Sequence, residues 1–309
     1  MLQQLPEFQS SVITRTRDST VLAKMDCVVD VGGVYDPEKL RFDHHQREFQ
    51  ETFSPNHTIR LSSAGLVYKH FGLKVLPKVI GIAESDPNLK VLYDKIYDDY
   101  VMTYDAVDNG VSQFETEAKP KYRTVSDIFA RVSRLNPNWN ERNANPDMQF
   151  MKAVELVGQD FSEVCSGLLL GWLPAKQLVS DAYNICLRHN PNILILQQSC
   201  PWKEHLLNLE AQNGRSDTLY AIYPDETNND WRVQAVPSSP DSFESRLPFP
   251  KSWRGLRLSD LDSVAGISNC VFVHASGFIG GNKSLEGCIK MAEESIKMDI
   301  KAKQDALAQ

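Results

Sequence analysis

The tripeptide Asp43-His44-His45 combines the side chains best suited to chemistry in this sequence. Two imidazoles beside a carboxylate suit borderline divalent ions such as manganese, iron or zinc. Neighbouring side chains of an extended segment point in opposite directions, so both histidines can ligate one ion only where the backbone turns. We therefore expect one histidine to bind a metal while the other faces the substrate or a second ion. An ordinary surface turn is the alternative interpretation.

Further carboxylates that could complete a metal site lie in the first part of the chain. Asp30 lies in the apolar run 27–31, near the predicted C-terminal end of a strand, and open α/β sheets bind ligands at that edge. Asp36 lies in the following turn. Asp105 and Asp108 are three residues apart near the end of a predicted helix, so they share a face if the helix persists. A two-metal phosphoesterase needs such a set to clamp a phosphate and deprotonate a water.

A second chemical signal is the glycine-rich segment that contains Gly280, Gly281, Asn282 and Lys283 and precedes a predicted helix. Backbone N–H groups at a helix N-terminus, approached closely through glycines, favour an anion, and Lys283 adds positive charge. We predict that 276–284 is a loop able to bind a substrate phosphate, with an ordinary strand-to-helix turn as the alternative. The segment lacks the ending and spacing of a Walker A loop.

Aromatic and basic residues are interleaved in two other stretches, 202–205 and 246–257. Arginine and tryptophan can stack on bases and contact phosphates, although a tryptophan that anchors a loop is an equally simple explanation. The formal net charge of −7 and the pI near 5.6 argue against a broad basic nucleic-acid surface but are compatible with a local basic groove.

The composition predicts an ordinary folded protein. The chain has 309 residues, of which 42% are hydrophobic and 24% charged, which disfavours disorder, collagen-like repeats and a coiled coil. The length suggests about two domains. The six cysteines form no CxxC pair, so we expect reduced, mostly buried thiols rather than a zinc site. We find no targeting segment and no apolar run of roughly 20 residues, so no membrane partner is expected.

The elements that must position the first group of residues can be predicted from local patterns. Alternation favours a strand at 11–16, and the compact apolar run at 27–31 predicts a strand buried on both faces. Ser62 and Ser63 are suited to cap a helix that closes at Gly72. A second helix is predicted to start at the Ser-Asp-Pro sequence 85–87 and to end near 105–110. Apolar and aromatic residues recur along it at helical spacing, namely Leu89, Leu92, Tyr93, Ile96, Tyr100 and Tyr104.

The second part of the chain changes character after HNPN at 189–192, so we predict domains at 1–190 and 191–309. An irregular loop is expected at 134–147, because asparagine and proline are frequent there, and helical patterning resumes from 148 to 189. Apolar runs then predict four strands and one final amphipathic helix. The strands are 193–198, 219–224, 231–236 and 270–275, and the helix begins near Leu285.

Several long motifs together resemble the melanocyte-proliferating-gene branch of the DHH phosphoesterase superfamily, which includes RecJ-type nucleases and manganese pyrophosphatases. The motifs are DVGGVYDPEKLRFDHHQ, LSSAGLVYKHFG, YDAVDNGV, SRLNPNWNE, QQSCPWKEHL, YAIYPDE, WRVQAVP, WRGL and VFVHASGFIGGNK, and they cover nearly the whole chain. The resemblance implies an α/β fold: a DHH-type parallel-sheet domain, a smaller C-terminal α/β domain and a catalytic cleft between them. It also implies a metal-dependent 3′-to-5′ exoribonuclease that acts on RNA in nucleus and mitochondrion.

The resemblance also implies roles for individual residues. Asp30 is similar to the bridging metal ligand of the family, and His44 to its metal-binding histidine. His45 is similar to the histidine nearer the scissile phosphate, and Asp43 to an acid that orients the pair.

Other implied roles leave alternatives open. The remaining metal ligand is Asp105 or Asp108, and the glycine-rich segment resembles the family's substrate-phosphate cradle. The implied cofactor is a divalent cation, manganese first and magnesium as the alternative.

One departure from the family concerns the start of the sequence. Family members begin with a strand and a His-rich motif that supplies metal ligands, whereas MLQQLPEF resembles the end of the helix that follows. We therefore expect the first strand of the sheet to be missing, an apolar sheet edge to be exposed and activity to be impaired. The alternatives to an exoribonuclease are a non-catalytic RNA- or protein-binding module and a small-molecule phosphatase or pyrophosphatase. The sequence leaves the oligomeric state open.

Overall fold

The computed structural model describes residues 1–116, 118, 120–142, 144–239 and 242–307. The chain forms two compact units, Met1–Leu170 and Gly171–Gln309. The domain division expected after residue 190 stays a prediction, although helix α7 (Leu173–His189) packs against strand β4 (Ile193–Ile195) in the second unit. Both units combine helices with a mixed sheet, so the chain is of the mixed α/β class.

The first unit has six α-helices and three very short strands in the part of the chain that the structure describes. The helices are α1 Ser19–Leu22, α2 Ser63–Ile80, α3 Leu89–Ile96, α4 Met102–Asp108, α5 Ile128–Ser133 and α6 Pro146–Gly167. The strands are β1 Val28–Val29, β2 Tyr35–Asp36 and β3 Arg41–Phe42, and two 3-10 turns span Leu2–Gln4 and Pro37–Lys39. A π-turn, Tyr97–Val101, separates α3 from α4, and a second, Leu168–Trp172, follows α6.

The sheet of the first unit has the order β1-β3-β2, with β1 parallel to β3 and β2 antiparallel to it. The sheet is therefore mixed rather than wholly parallel. The prediction that 27–31 is buried on both faces is wrong for Val29, which is 37% exposed because β1 lies at the sheet edge, whereas Val28 is buried. The predicted strand at 11–16 is also wrong, since these residues are mostly exposed and pair with no described strand.

Helix α2 begins as predicted at Ser62, whose Oγ accepts hydrogen bonds from the N–H groups of Ala64 and Gly65. It does not close at Gly72 but continues to Ile80, and Gly81 ends it with a left-handed backbone. Gly72 lies inside the helix, where Tyr93 packs on it. A Cβ at this position would lie 2.7 Å from the tyrosine ring. This glycine therefore serves close packing rather than helix termination.

The second predicted helix is confirmed with a later start. The carboxylate of Asp86 accepts a hydrogen bond from the Asn88 N–H at 2.8 Å, and α3 follows from Leu89. Its apolar face is buried as the spacing predicted, and α4 ends at Asp108 before Gly110, as expected. The residues of that face are Leu89, Leu92, Tyr93 and Ile96.

The second unit contains a five-stranded sheet of order β4-β5-β6-β8-β7, in which β4 and β5 are parallel and the other neighbours antiparallel. All four predicted strands and the final helix are confirmed. The remaining elements are α8 Lys203–Gln212, β5 Tyr220–Asp225, β6 Asp230–Ala235, α9 Leu258–Ala265, β7 Cys270–Val273, β8 Ile279–Asn282 and α10 Leu285–Leu307.

The prediction that 276–284 is a loop is wrong for β8. Gly280 pairs with Val233 on one side and Val273 on the other, so the segment lies inside the sheet. A Cβ at Gly280 would lie 3.0 Å from the Phe272 carbonyl oxygen, which explains why glycine is needed in this strand. Gly280 therefore allows β7 and β8 to approach, and Gly281 lies against the Trp231 carbonyl oxygen of β6, roles that the sequence pattern does not distinguish from phosphate binding.

The tryptophans of the aromatic and basic stretches are core residues. Trp253 belongs to a cluster with Phe249 and Met291, and Trp202 packs beside Leu206, all of them buried. Both tryptophans therefore anchor their stretches in the core, as the second explanation of these stretches predicted. Among the described residues, no helix is long and apolar enough to span a bilayer.

Candidate metal centre

The candidate centre forms where two parallel strands of the first unit end. Asp30 directly follows β1, and Asp43 follows β3. Because β1 and β3 are parallel, their C-terminal ends meet at the same edge of the sheet. Asp30 has a left-handed backbone with φ of 68°, which turns the chain immediately after the strand. Aspartate tolerates this region better than most residues.

This edge brings carboxylate and imidazole groups together. His44 Nδ1 lies 3.9 Å from Asp30 Oδ1, and His44 Nε2 lies 3.1 Å from Asp108 Oδ2. One ligand atom from each of Asp30, His44 and His45 lies within 4.8 Å of the other two. The His44 ring is buried, whereas both carboxylates and His45 are exposed. The predicted cluster is thus present as a geometric group with access to solvent.

Asp43 holds the turn that carries both histidines. Its carboxylate is buried and accepts a hydrogen bond from the Gly33 N–H at 2.6 Å. It accepts two more from His45, one from the backbone N–H at 3.1 Å and one from the ring Nδ1 at 2.6 Å. Burial alone would raise the pKa of Asp43, but the bonds from His45 and Gly33 hold it below its ordinary value. The same carboxylate raises the pKa of His45, chiefly through their hydrogen bond.

The two aspartates that the sequence could not separate have different surroundings. Asp108 is half exposed beside His44, whereas Asp105 is fully buried. Asp105 accepts hydrogen bonds from Ser62 N–H at 2.8 Å, Ser62 Oγ at 2.7 Å and Tyr97 Oη at 2.8 Å. Burial raises the pKa of Asp105 even though these bonds oppose the shift. Of the two, only Asp108 lies next to the cluster of imidazoles.

The donor set fits a divalent cation. Two imidazoles and two carboxylates are the ligands that borderline ions such as manganese and zinc accept. Two neighbouring ligand atoms on an octahedral ion with bonds of about 2.1 Å lie about 3 Å apart. The 3.1 Å between His44 Nε2 and Asp108 Oδ2 matches this spacing. His44, Asp108 and Asp30 could therefore hold one ion, with His45 beside it.

Other residues suggested by the sequence have different partners. The Asp36 carboxylate accepts a hydrogen bond from Lys39 N–H at 3.3 Å and pairs with the lysine Nζ at 2.8 Å, so it caps a short turn. In the second unit, Asn282 is fully buried and its Nδ2 donates to the Ser268 carbonyl oxygen at 2.9 Å. Lys283 pairs with Asp230 at 2.8 Å, and its side chain is 58% exposed. Phosphate binding by the glycine-rich segment stays a prediction.

Sequence reasoning missed Ser63 as a contact of the cluster. Its Oγ lies 3.2 Å from His44 Nδ1, and both side chains are buried. The sequence marked Ser62 and Ser63 only as helix caps. The sequence held no signal for this contact, because it does not place the N-terminus of α2 beside His44.

Comparisons with known proteins give consistent results over nearly the whole chain. Residues 1–296 match the profile described as Uncharacterised protein family (UPF0160). The MYG1 exonuclease of Bos taurus is 46% identical over 306 residues, which is 96% of this chain and 80% of that protein. The MYG1 exonuclease of Homo sapiens is 45% identical over 308 residues (96% and 81%), and the MYG1 protein of Dictyostelium discoideum is 43% identical over 305 (97% and 92%). No solved structure matches the chain.

Proposed function

Because the chain belongs to the family of the MYG1 exonucleases, we propose that it is a metal-dependent 3′-to-5′ exoribonuclease. The observation that carries this proposal is the meeting of Asp30, His44, His45 and Asp108 at one sheet edge. A nuclease needs groups that hold a phosphodiester and activate water, and such a cluster supplies ligands for a cation that does both. Manganese is the preferred ion, and RNA the proposed substrate.

The residues around the cation site have separate tasks. A bound divalent cation would polarise the phosphodiester and lower the pKa of an attacking water. Asp30, His44 and Asp108 would hold it. His45 has its Nδ1 engaged by Asp43, so Nε2 is the ring nitrogen available for a substrate. Since Asp43 raises the pKa of His45, the protonated ring can donate a proton to the leaving oxygen.

The second unit would contribute substrate contacts rather than chemistry. Lys283 is the exposed cation of the glycine-rich segment, and it keeps its position through Asp230. The backbone of Gly280 and Gly281 is paired with strands on both sides, so contact with a phosphate would come chiefly through the lysine. The nuclear and mitochondrial location that the resemblance implies remains a prediction.

Degradation of a labelled RNA tests the proposal. Single-stranded RNA carrying a 5′ label should shorten stepwise and release mononucleotides in manganese, stop after chelation with EDTA and resume when manganese is restored. An RNA with a blocked 3′ end should resist. Asp108→Asn should lower the rate about 100-fold or more, as expected for loss of a metal ligand. Asp181→Asn, which changes an exposed acid bonded to Gln177, is the matched control and should retain the rate.

Other substrates decide between the alternatives. Faster hydrolysis of pyrophosphate than of RNA would replace the proposal with a small-molecule phosphatase. RNA binding without any release of nucleotides in manganese or magnesium would replace it with a binding module.

A further inference from the structure

Asp105 is a buried carboxylate that the proposed mechanism does not use. It has no exposed surface and bonds to Ser62 and Tyr97. Gly65 lies directly against it, and a Cβ at that position would overlap the carboxylate oxygens. Burying a carboxylate is costly unless donors surround it, so a carboxylate buried with three donors indicates a specific task.

The donors of Asp105 lie where helix α2 begins. Ser62 gives both its N–H and its Oγ–H to one carboxylate oxygen, while its Oγ accepts from the first turn of α2. The carboxylate therefore fixes the backbone and the side chain of the capping residue together. Ser63 is the next residue, so its position follows from that of Ser62.

Ser63 transmits this position to the candidate metal centre. Its Oγ lies 3.2 Å from His44 Nδ1, while Nε2 of the same ring lies 3.1 Å from Asp108. A hydrogen bond at one ring nitrogen sets which way the other nitrogen points, and metal-binding histidines are commonly oriented in this way. Ser63 lies at Nδ1 of the buried ring, with Asp30 Oδ1 3.9 Å from the same nitrogen, and Asp108 lies at Nε2.

We propose that Asp105 is a positioning residue that acts through Ser62 and Ser63 to hold His44 with Nε2 toward the cation. The inference rests on the proposed function in one respect, namely that His44 is a cation ligand. Asp105 itself contacts neither the cation nor the substrate.

The ring of His44 reports the effect without any metal. In ¹⁵N spectra of the metal-free chain, Ser63→Ala should move the His44 Nδ1 signal, and Asp105→Asn should move it in the same direction by a smaller amount. Ser63→Thr retains the hydroxyl and should restore the wild-type signal. His70 in the same unit bonds to Tyr35 instead, and its signals should stay unchanged. A folded Asp105→Asn protein with an unmoved Nδ1 signal would overturn the proposal.

Cation affinity gives the second measurement. Titration with Mn²⁺ should show about a tenfold weaker affinity for Ser63→Ala and for Asp105→Asn, as is usual when the residue that orients a ligand is lost. Because both residues act on one ring, the double variant should bind Mn²⁺ about as weakly as the single variant with the lower affinity. Independent effects would instead weaken binding about a hundredfold relative to the wild type. The Asp181→Asn variant should bind as the wild type does.

Two outcomes separate the possible roles. Complete loss of Mn²⁺ binding in folded Asp105→Asn, with Ser63→Ala unaffected, would make Asp105 a direct ligand and overturn the inference. If Asp105→Asn fails to fold, the Ser63→Ala and Ser63→Thr pair still tests whether this link orients His44. If RNA stays intact while the Mn²⁺ affinities of the variants follow the expected order, only the proposed function is wrong. If RNA is degraded normally and the variants bind Mn²⁺ as the wild type does, only the inference about Asp105 is wrong.

Discussion

The candidate metal centre and the glycine-rich segment of the second unit both look like binding sites in the sequence, yet they have opposite structures. In the first, Asp30 and Asp108 stay exposed at the ends of their elements, with carboxylate oxygens near a buried imidazole. In the second, Gly280 and Gly281 lie inside a sheet. Residue type alone thus does not distinguish the two regions, whereas the position of their residues relative to the ends of secondary structure elements does.

Removal of the His44 imidazole should have the largest effect, a loss of RNA degradation that would separate the first region from the second. His44→Ala should lower RNA degradation at least about 100-fold, since it removes the proposed cation ligand together with its contact to Ser63. The matched control His189→Ala removes an exposed imidazole from α7 and should retain the rate. Rates are measured on end-labelled RNA in manganese. Equal rates for the two variants would remove the first unit's cluster from the chemistry.

An added side chain in the second unit should affect stability instead. Gly280→Val places atoms against Phe272, Met291 and Val273, so we expect a free energy of unfolding lower by about 1–3 kcal/mol. Urea unfolding measures the loss, and Mn²⁺ affinity of the folded variant should not change. A variant of normal stability that fails only in RNA binding would instead favour phosphate recognition by this segment.

Asp30 allows backbone strain and cation binding to be separated. Asp30→Ala and Asp30→Gly should weaken Mn²⁺ binding equally, because both remove the carboxylate. The glycine variant should be more stable than the alanine variant by about 0.5–1 kcal/mol, since the φ of 68° disfavours alanine. Thermal unfolding and Mn²⁺ titration measure the two quantities. Equal stability would show that this turn relaxes when its carboxylate is removed.

A smaller effect, on stability alone, concerns Tyr93, which packs on Gly72 of α2. Burial, together with Asp94, raises the pKa of Tyr93 to about 12. The unfolded chain loses this proton near pH 10, so the folded state should lose stability as the pH rises from about 10 to 12. Tyr93→Phe should make this dependence less steep, since other tyrosines such as Tyr223 also have a raised pKa, and at neutral pH it should cost about 0.5–1.5 kcal/mol through loss of the bond to the Lys69 carbonyl oxygen. Unfolding free energies at several pH values test this, and an unchanged alkaline slope would contradict it.

Local chemistry made much of the fold predictable. Ser62 correctly predicted where α2 begins, and the apolar spacing from Leu89 to Ile96 correctly predicted which face of α3 is buried. Short-range rules failed where a tertiary contact decided the outcome. Gly72 reads as a helix end because nothing in the sequence places Tyr93 against it, and the glycines of β8 read as a loop because their strand partners are distant in the chain.

The candidate site was predictable in its members but not in their arrangement. Asp30, His44 and His45 could be chosen by residue type, since imidazoles and carboxylates are the expected ligands. The choice between Asp105 and Asp108 needed the structure. Residues three apart in a helix share a face in the sequence pattern, and only the fold shows that one carboxylate is buried and the other exposed. The contact of Ser63 with His44 also needed the structure.

The π-turn at Tyr97–Val101 has a consequence for how this family can vary. Such a turn holds one residue more than the α-helix that would replace it, and each residue advances an α-helix by about 100°. Deleting that surplus residue would leave an α-helix in the same phase, so Asp105 would stay at Ser62 and Asp108 at His44. A one-residue deletion within 102–104, where the helix holds no surplus residue, would instead rotate both carboxylates by about 100° away from their partners.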